Sequence, residues 1–213
     1  MNQRQKLKRL WVFDLDDTLH LANPDVFELI NQDMTKYISD VLNISKENAD
    51  KIRMDYWQKY GSTLRGLQIN HRIQTNDFLI KTHDLKKIKS KIKPLKYIKK
   101  IIHSIREDKI VLTNAPKHYA DFVLKKIGIF HHFKKIICIE DNFYIPKPNQ
   151  NVFKRVKRLP YEKFILIDDN KENLKQAFFC GFITIHLSCI REQNAYINYR
   201  LNQLNKILKL KNI

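Results

Sequence analysis

Alternation of short apolar runs with helix-patterned segments predicts an α/β fold, a parallel sheet covered by helices and interrupted by an all-helical insert. The first run, Leu10-Trp11-Val12-Phe13, is short, β-prone and ends in acidic residues, as a buried strand feeding a functional loop would. Runs of the same kind recur at residues 109–112, 136–139, 164–167 and 183–187. Helical patterns at 95–105, 117–127, 151–158 and 173–180 lie between or beside them, so strand and helix alternate.

Residues 22–92 break that alternation. Phe27, Ile30, Met34, Ile38 and Leu42 recur at helical spacing, and no convincing strand pattern is present. Pro24 suits a first helical turn, and Gly61 and Gly66 read as punctuation of a loop between two helices. The expected organisation is therefore a Rossmann-like core made of 1–21 and 93–213, with 22–92 as a helical insert. Near the end, Ile197, Leu201, Leu204, Ile207 and Leu208 predict an amphipathic helix over 195–210 that packs on the sheet.

Composition narrows the class. A chain of 213 residues with 43% hydrophobic residues can bury a full core. No stretch approaches the roughly 20 apolar residues that a membrane span needs, and the basic start, Met1 to Leu10, has no cleavage pattern after it, so a cytoplasmic protein is expected. Cys138, Cys180 and Cys189 have no metal-knuckle spacing and read as free thiols of a reducing compartment. The formal net charge of +18 would attract phosphate polymers, but lysines are spread over nearly every segment and no nucleic-acid-binding motif accompanies them. A nucleic-acid partner is not expected, and oligomeric state is left open.

The chemistry lies where the predicted strands end. Asp14-Leu15-Asp16-Asp17-Thr18 follows the first run directly and places two acids two positions apart at a strand's carboxyl end, the edge where open α/β sheets bind ligands. Alone, such a cluster would serve equally as a turn or helix cap. Three more polar groups follow three more runs. Thr113-Asn114 offers a hydroxyl and an amide to a phosphoryl oxygen, Lys147 in Pro146-Lys147-Pro148 offers an ammonium, and Asp168-Asp169 adds acidic ligands that suit Mg²⁺.

In this order, Asp14-x-Asp16-x-Thr18, Thr113, Lys147 and Asp168-Asp169 resemble the four motifs of the haloacid dehalogenase superfamily. The resemblance implies that Asp14 is the nucleophile and that Asp16 is the general acid and base. It implies that Asp14, Asp168 and Asp16, through its carbonyl, bind Mg²⁺, that Thr113, Asn114 and Lys147 hold the phosphoryl group, and that Thr18 and Asp169 support them, Asp169 by orienting Lys147 or a metal-bound water. Dehalogenases lack the second acid because halide leaves without a proton, so Asp16 favours phosphate chemistry. The insert occupies the place of the family's helical cap.

Within the insert, Tyr60-Gly61-Ser62-Thr63-Leu64-Arg65-Gly66-Leu67, with Asn70-His71, Phe78-Leu79 and Thr82-His83-Asp84, is similar to the cap of the pyrimidine 5′-nucleotidase branch, as is the phrase from Phe13 to His20. That likeness implies a nucleoside 5′-monophosphate as the small phosphorylated substrate, contacted by Tyr60, Thr63 and Arg65. A sugar phosphate or another small metabolite is the alternative, and a retired phosphatase fold that binds nucleic acid or protein is the alternative of another class.

Overall fold

The computed structural model describes residues 8–190 and 194–210; the first seven residues of the basic start lie outside them. The chain enters through β1 (Arg9–Phe13) and leaves the sheet at β2 (His20–Leu21). It then forms α1 (Asp25–Leu42), α2 (Lys46–Tyr60), α3 (Thr63–Asn70), α4 (Thr75–Thr82) and α5 (Leu85–Ile88) before returning through β3 (Lys93–Pro94). Strand β3 pairs antiparallel with β2, so the outgoing and incoming chains are bonded to each other at the base of the helical segment. Then follow α6 (Ile98–Ser104), β4 (Asp108–Leu112), α7 (Lys117–Lys126), β5 (Lys135–Ile137), α8 (Gln150–Val156), β6 (Lys163–Asp168), α9 (Lys171–Phe179), β7 (Ile183–Leu187) and β8 (Tyr199–Leu201).

The main sheet has the order β5-β4-β1-β6-β7-β8, with every pairing parallel. The inner stretches of its central strands, residues 10–13, 110–112 and 164–167, are apolar because both faces are covered. In β1, Trp11 and Phe13 face the layer that contains α6 and α7, whereas Leu10 and Val12 face the layer of α8 and α9. Strands β4 and β6 divide their residues in the same way. Since β1 lies between β4 and β6, their carboxyl ends meet beside Asp14, whose amide donates to the Ile167 carbonyl at 2.9 Å.

The helical segment has its own core around Tyr37, Ile38, Leu64, Leu67 and Phe78, and Ile139 from beyond β5 is packed into it. Val26 and Ile30 of α1 join the main core instead, anchoring the segment over the sheet.

Two local expectations are corrected. The expected helix over 195–210 is instead β8 followed by a 3₁₀ segment, Leu204–Lys209. Strand β7 takes β8 as its outer neighbour, and Thr184 fixes the approach by bonding Asn198 and the Tyr196 carbonyl. Leu201, Leu204 and Ile207 are still buried, at a spacing of three that a strand end and a 3₁₀ turn satisfy as well as an α-helix does. Gly66 does not punctuate a loop. It lies inside α3, where any side chain would collide with the ring of Tyr56 on α2, so it permits close helix packing. Gly61, with φ of 77°, is the residue that ends α2.

Candidate active site

Two strand ends supply the centre. Asp14 follows β1, Asp168 ends β6 and Asp169 succeeds it, and one carboxylate oxygen from each lies within 4.8 Å of the others. Lys147 reaches between them, its Nζ donating to Asp14 Oδ1 and to Asp168 Oδ2, each at 2.7 Å. The lysine is 2% exposed and Asp14 7%. Burial opposes a charged lysine, but the two carboxylates outweigh it and hold the ammonium above its ordinary range. Burial pushes Asp14 well up, Lys147 pulls it back, and the neighbouring acids push it up again. Asp169 is raised to about 7, first by burial and then by Asp168 and Asp17. Two buried carboxylates thus share one ammonium, with a third, half-buried, beside them. The excess negative charge, carried entirely on oxygen donors, suits a small hard dication such as Mg²⁺.

Further side chains fix this geometry. Asn173 of α9 donates to both Asp168 oxygens at 3.1 Å, and the Asn170 amide donates to Oδ1 at 2.9 Å. Asn114 grips the backbone of Lys147, accepting from its amide at 2.7 Å and donating to its carbonyl at 3.0 Å. Thr113 is buried, accepts from the Ala115 amide and lines the cavity. Thr18 is fully buried under the acidic loop, and its hydroxyl has no protein partner among the described residues.

The Asp16 carboxylate has a separate setting. His20 Nε2 lies 2.8 Å from Oδ1, and the Tyr119 hydroxyl donates to the same oxygen at 2.6 Å. Burial would raise this acid, but the His20 and Tyr119 bonds outweigh it and leave the carboxyl below its usual range. His83 packs its ring against Tyr119, and burial lowers its pKa to about 4, so it is neutral. Asp17 has φ of 55° and caps the amides of Ala22 and Asn23, holding the exit toward α1.

A cavity of about 530 Å³ opens over the acids, with Asp14, Asp16, Asp169, Thr113, Asn114 and Lys147 at its base. The structure therefore brings together the expected core residues. Of the expected metal set, Asp14 and Asp168 are in the carboxylate cluster, and Asp169 is its third member, while the Asp16 side chain turns to His20 and Tyr119. Of the three expected cap contacts, only Thr63 lines the cavity, and its hydroxyl donates to the Arg53 carbonyl. Tyr60 and Arg65 are not in the lining, and the Tyr60 hydroxyl accepts from Asn70. Helix α3 begins at Thr63 with Ser62 as its cap, so the segment read as a loop is wound, which carries Arg65 away from the side of the helix that meets the cavity. Sequence reasoning missed Tyr119, Asn173, Arg53 and the role of His20. Only His20 carried a local signal, four residues after Asp16.

Known proteins share this arrangement of strands. The model of the family described as haloacid dehalogenase-like hydrolase matches residues 8–177. The chain belongs to the haloacid dehalogenase-like hydrolases. Its similarity to "Phosphate metabolism protein 8" of Saccharomyces cerevisiae is 26% identity over 202 residues, covering 84% of this chain and 62% of that protein. The chain thus spans less than two thirds of the length of that relative. Among solved structures, a HAD phosphatase from Thermococcus onnurineus has a TM-score of 0.68 at 18% identity, covering 94% of this chain and 96% of that one. The HAD-hydrolase YfnB from Bacillus subtilis, bound to magnesium, has a TM-score of 0.62 at 18% identity, covering 98% and 100%. The L-2-haloacid dehalogenase from Xanthobacter autotrophicus has a TM-score of 0.61 at 11% identity, covering 95% and 98%. These structures share the haloacid dehalogenase-like fold, helical segment included. No described helix is long and apolar enough to cross a membrane.

Proposed function

We propose that this hydrolase is a Mg²⁺-dependent phosphomonoesterase that acts on a small phosphorylated metabolite, most favourably a pyrimidine nucleoside 5′-monophosphate, through an aspartyl-phosphate on Asp14. The observation that carries the reading is the set of three carboxylates at the carboxyl ends of β1 and β6, two of them buried and bonded to Lys147.

Asp14, Asp168 and the Asp16 carbonyl would hold Mg²⁺ as the family resemblance implies, with Asp169 beside them as a further carboxylate. When bound, the ion supplies positive charge opposite the phosphoryl oxygens. Lys147 adds a fixed cation, and Thr113 with Asn114 offers hydrogen bonds to the same group. The Asp14 carboxylate attacks phosphorus, and the ester oxygen leaves with a proton from Asp16. Asp16 then takes a proton from the water that attacks the phosphorus, and Asp14 is regenerated. A carboxyl held low by His20 and Tyr119 rests ionised, with no proton to give, but an incoming phosphate dianion raises a neighbouring carboxyl by like-charge repulsion. Asp16 therefore gains its proton when substrate is present. The helices over the cavity serve as the cap that excludes water.

The magnesium bound to one related structure and the yeast relative named for phosphate metabolism both favour this reading. Its test is phosphate release by the purified chain with Mg²⁺ from nucleoside monophosphates, sugar phosphates and small phosphorylated acids. Release from uridine or cytidine 5′-monophosphate ahead of the others is expected. Preference for a sugar phosphate would move the substrate to the alternative, and no release from any of them would overturn the phosphatase assignment.

A further inference from the structure

Helix α2 is polar over most of its length and fully buries only Ala49, yet it places Met54 and Trp57 in the wall of the catalytic cavity with 46% and 58% of their surfaces exposed. Arg53, on the same wall, is held rigidly. Its Nε and Nη2 donate to Asp50 Oδ1 at 2.9 and 2.8 Å, its Nη1 donates to Asn31 at 3.1 Å, and its carbonyl accepts from Thr63. Thr35 in turn donates to Asp50, so α1 fixes the acid that fixes the arginine. A guanidinium carries five N–H donors, and these bonds use three, leaving two for a ligand.

We propose that Met54, Trp57 and Arg53 form a base-binding subsite of the cap, in which a flat heteroaromatic ring stacks on Trp57 and Met54 while its carbonyl or ring-nitrogen edge accepts from Arg53. This rests on the reading of Asp14 as the phosphoryl acceptor, and it names the part of the substrate that the cap reads. The chemistry separates a nucleobase from a bare sugar. A nucleobase has two broad flat faces and a polar edge, the complement of an aromatic shelf beside a rigid donor, whereas a small pentose offers less flat surface to stack. Thr63 contributes by holding the Arg53 backbone, which gives that cap residue a positioning role.

The test uses the full chain with uridine 5′-monophosphate and ribose 5-phosphate, which share the phosphoryl group and pentose and differ in the base. The chain has two tryptophans, and Trp11 is buried in β1, so the difference between wild type and Trp57→Phe isolates the fluorescence of Trp57. In the Asp14→Asn background, which stops turnover, uridine 5′-monophosphate should quench that component saturably and ribose 5-phosphate should not. In the active protein, the ratio of kcat/KM for the nucleotide to that for the sugar phosphate should fall about tenfold in Trp57→Ala, the effect of losing one base–aromatic stack. Trp57→Phe, which keeps an aromatic face, should retain most of the ratio. Equal quenching by both ligands, or an unchanged ratio in a folded Trp57→Ala protein, would overturn the subsite. If wild type releases phosphate from neither compound, the nucleotidase reading fails and the quenching comparison still decides whether a base binds here.

Discussion

Replacing Lys147 by methionine keeps the aliphatic stem that fills the site and removes the charge alone. The ammonium is 2% exposed and donates to Asp14 and Asp168 at 2.7 Å each, so its loss leaves two buried carboxylates facing each other without a cation. Removing one partner of a buried ion pair typically costs ~3–5 kcal/mol, because the charge left behind stays desolvated. For a chain of this size, where 1 kcal/mol moves the melting temperature by about 2–4 °C, the expected fall is about 6–20 °C in the presence of chelator. Mg²⁺ provides a second source of positive charge at the same carboxylates, so it should recover part of that loss in Lys147→Met and stabilise wild type less. Phosphate release should be abolished in either condition. Thermal melting of both proteins, with chelator and then with excess Mg²⁺, decides the matter. A Lys147→Met protein that melts within about a degree of wild type in chelator would refute the argument that this lysine holds the acids together.

Tyr119→Phe removes the donor to Asp16 Oδ1 at 2.6 Å. That bond favours the ionised carboxyl, so its loss should raise the pKa of Asp16 and move the pH dependence of kcat for an alkyl phosphate to higher pH, with 4-nitrophenyl phosphate less affected. pH–rate profiles on both substrates check this, and an unmoved profile for the alkyl phosphate would contradict a role through the general acid. His83 takes its proton near pH 6.5 when unfolded but at about 4 when folded. The unfolded chain therefore binds more protons in that window, and stability present above pH 6.5 is lost as pH falls through it, by about 3 kcal/mol in all. Denaturant melts of wild type and His83→Gln from pH 7 to 4 should show a shallower decline in the variant. Chelation should abolish phosphate release and Mg²⁺ restore it, whereas larger Ca²⁺, which accepts more oxygens in looser geometry, should not. Activity in excess chelator would contradict a metal-dependent reaction.

The central strands were legible because a parallel strand covered on both faces has a run of consecutive apolar residues, 10–13 in β1 and 164–167 in β6, that sets it apart from its surroundings. Asp14, Thr113 and Asp168 were legible for a related reason, since a polar residue directly after such a run sits at the sheet's ligand-binding edge. Lys147 depended on family likeness, because one lysine among 40 basic residues has no local signal. The cap was read less well. Arg65 and Arg53 look alike in sequence, and only the docking of α2 against α1 and α3 decides that Arg53 lines the cavity. Tyr119 and Asn173 lie on amphipathic helices at positions where a core residue would serve, so their bonds to Asp16 and Asp168 depend on tertiary packing. The chain after β7 misled because a spacing of three fits several backbone forms, and the choice was made by the open edge of β7.

The most direct test of the account is to trap the covalent intermediate. The protein is mixed with Mg²⁺ and its best substrate, quenched during turnover and treated with borohydride, which reduces an acyl phosphate to an alcohol, and the modified residue is located by peptide mass spectrometry. The account predicts homoserine at position 14 in the wild-type protein and none in a folded Asp14→Asn protein, which should also release no phosphate. Sustained phosphate release by Asp14→Asn, or a trapped adduct at any other residue, would contradict it.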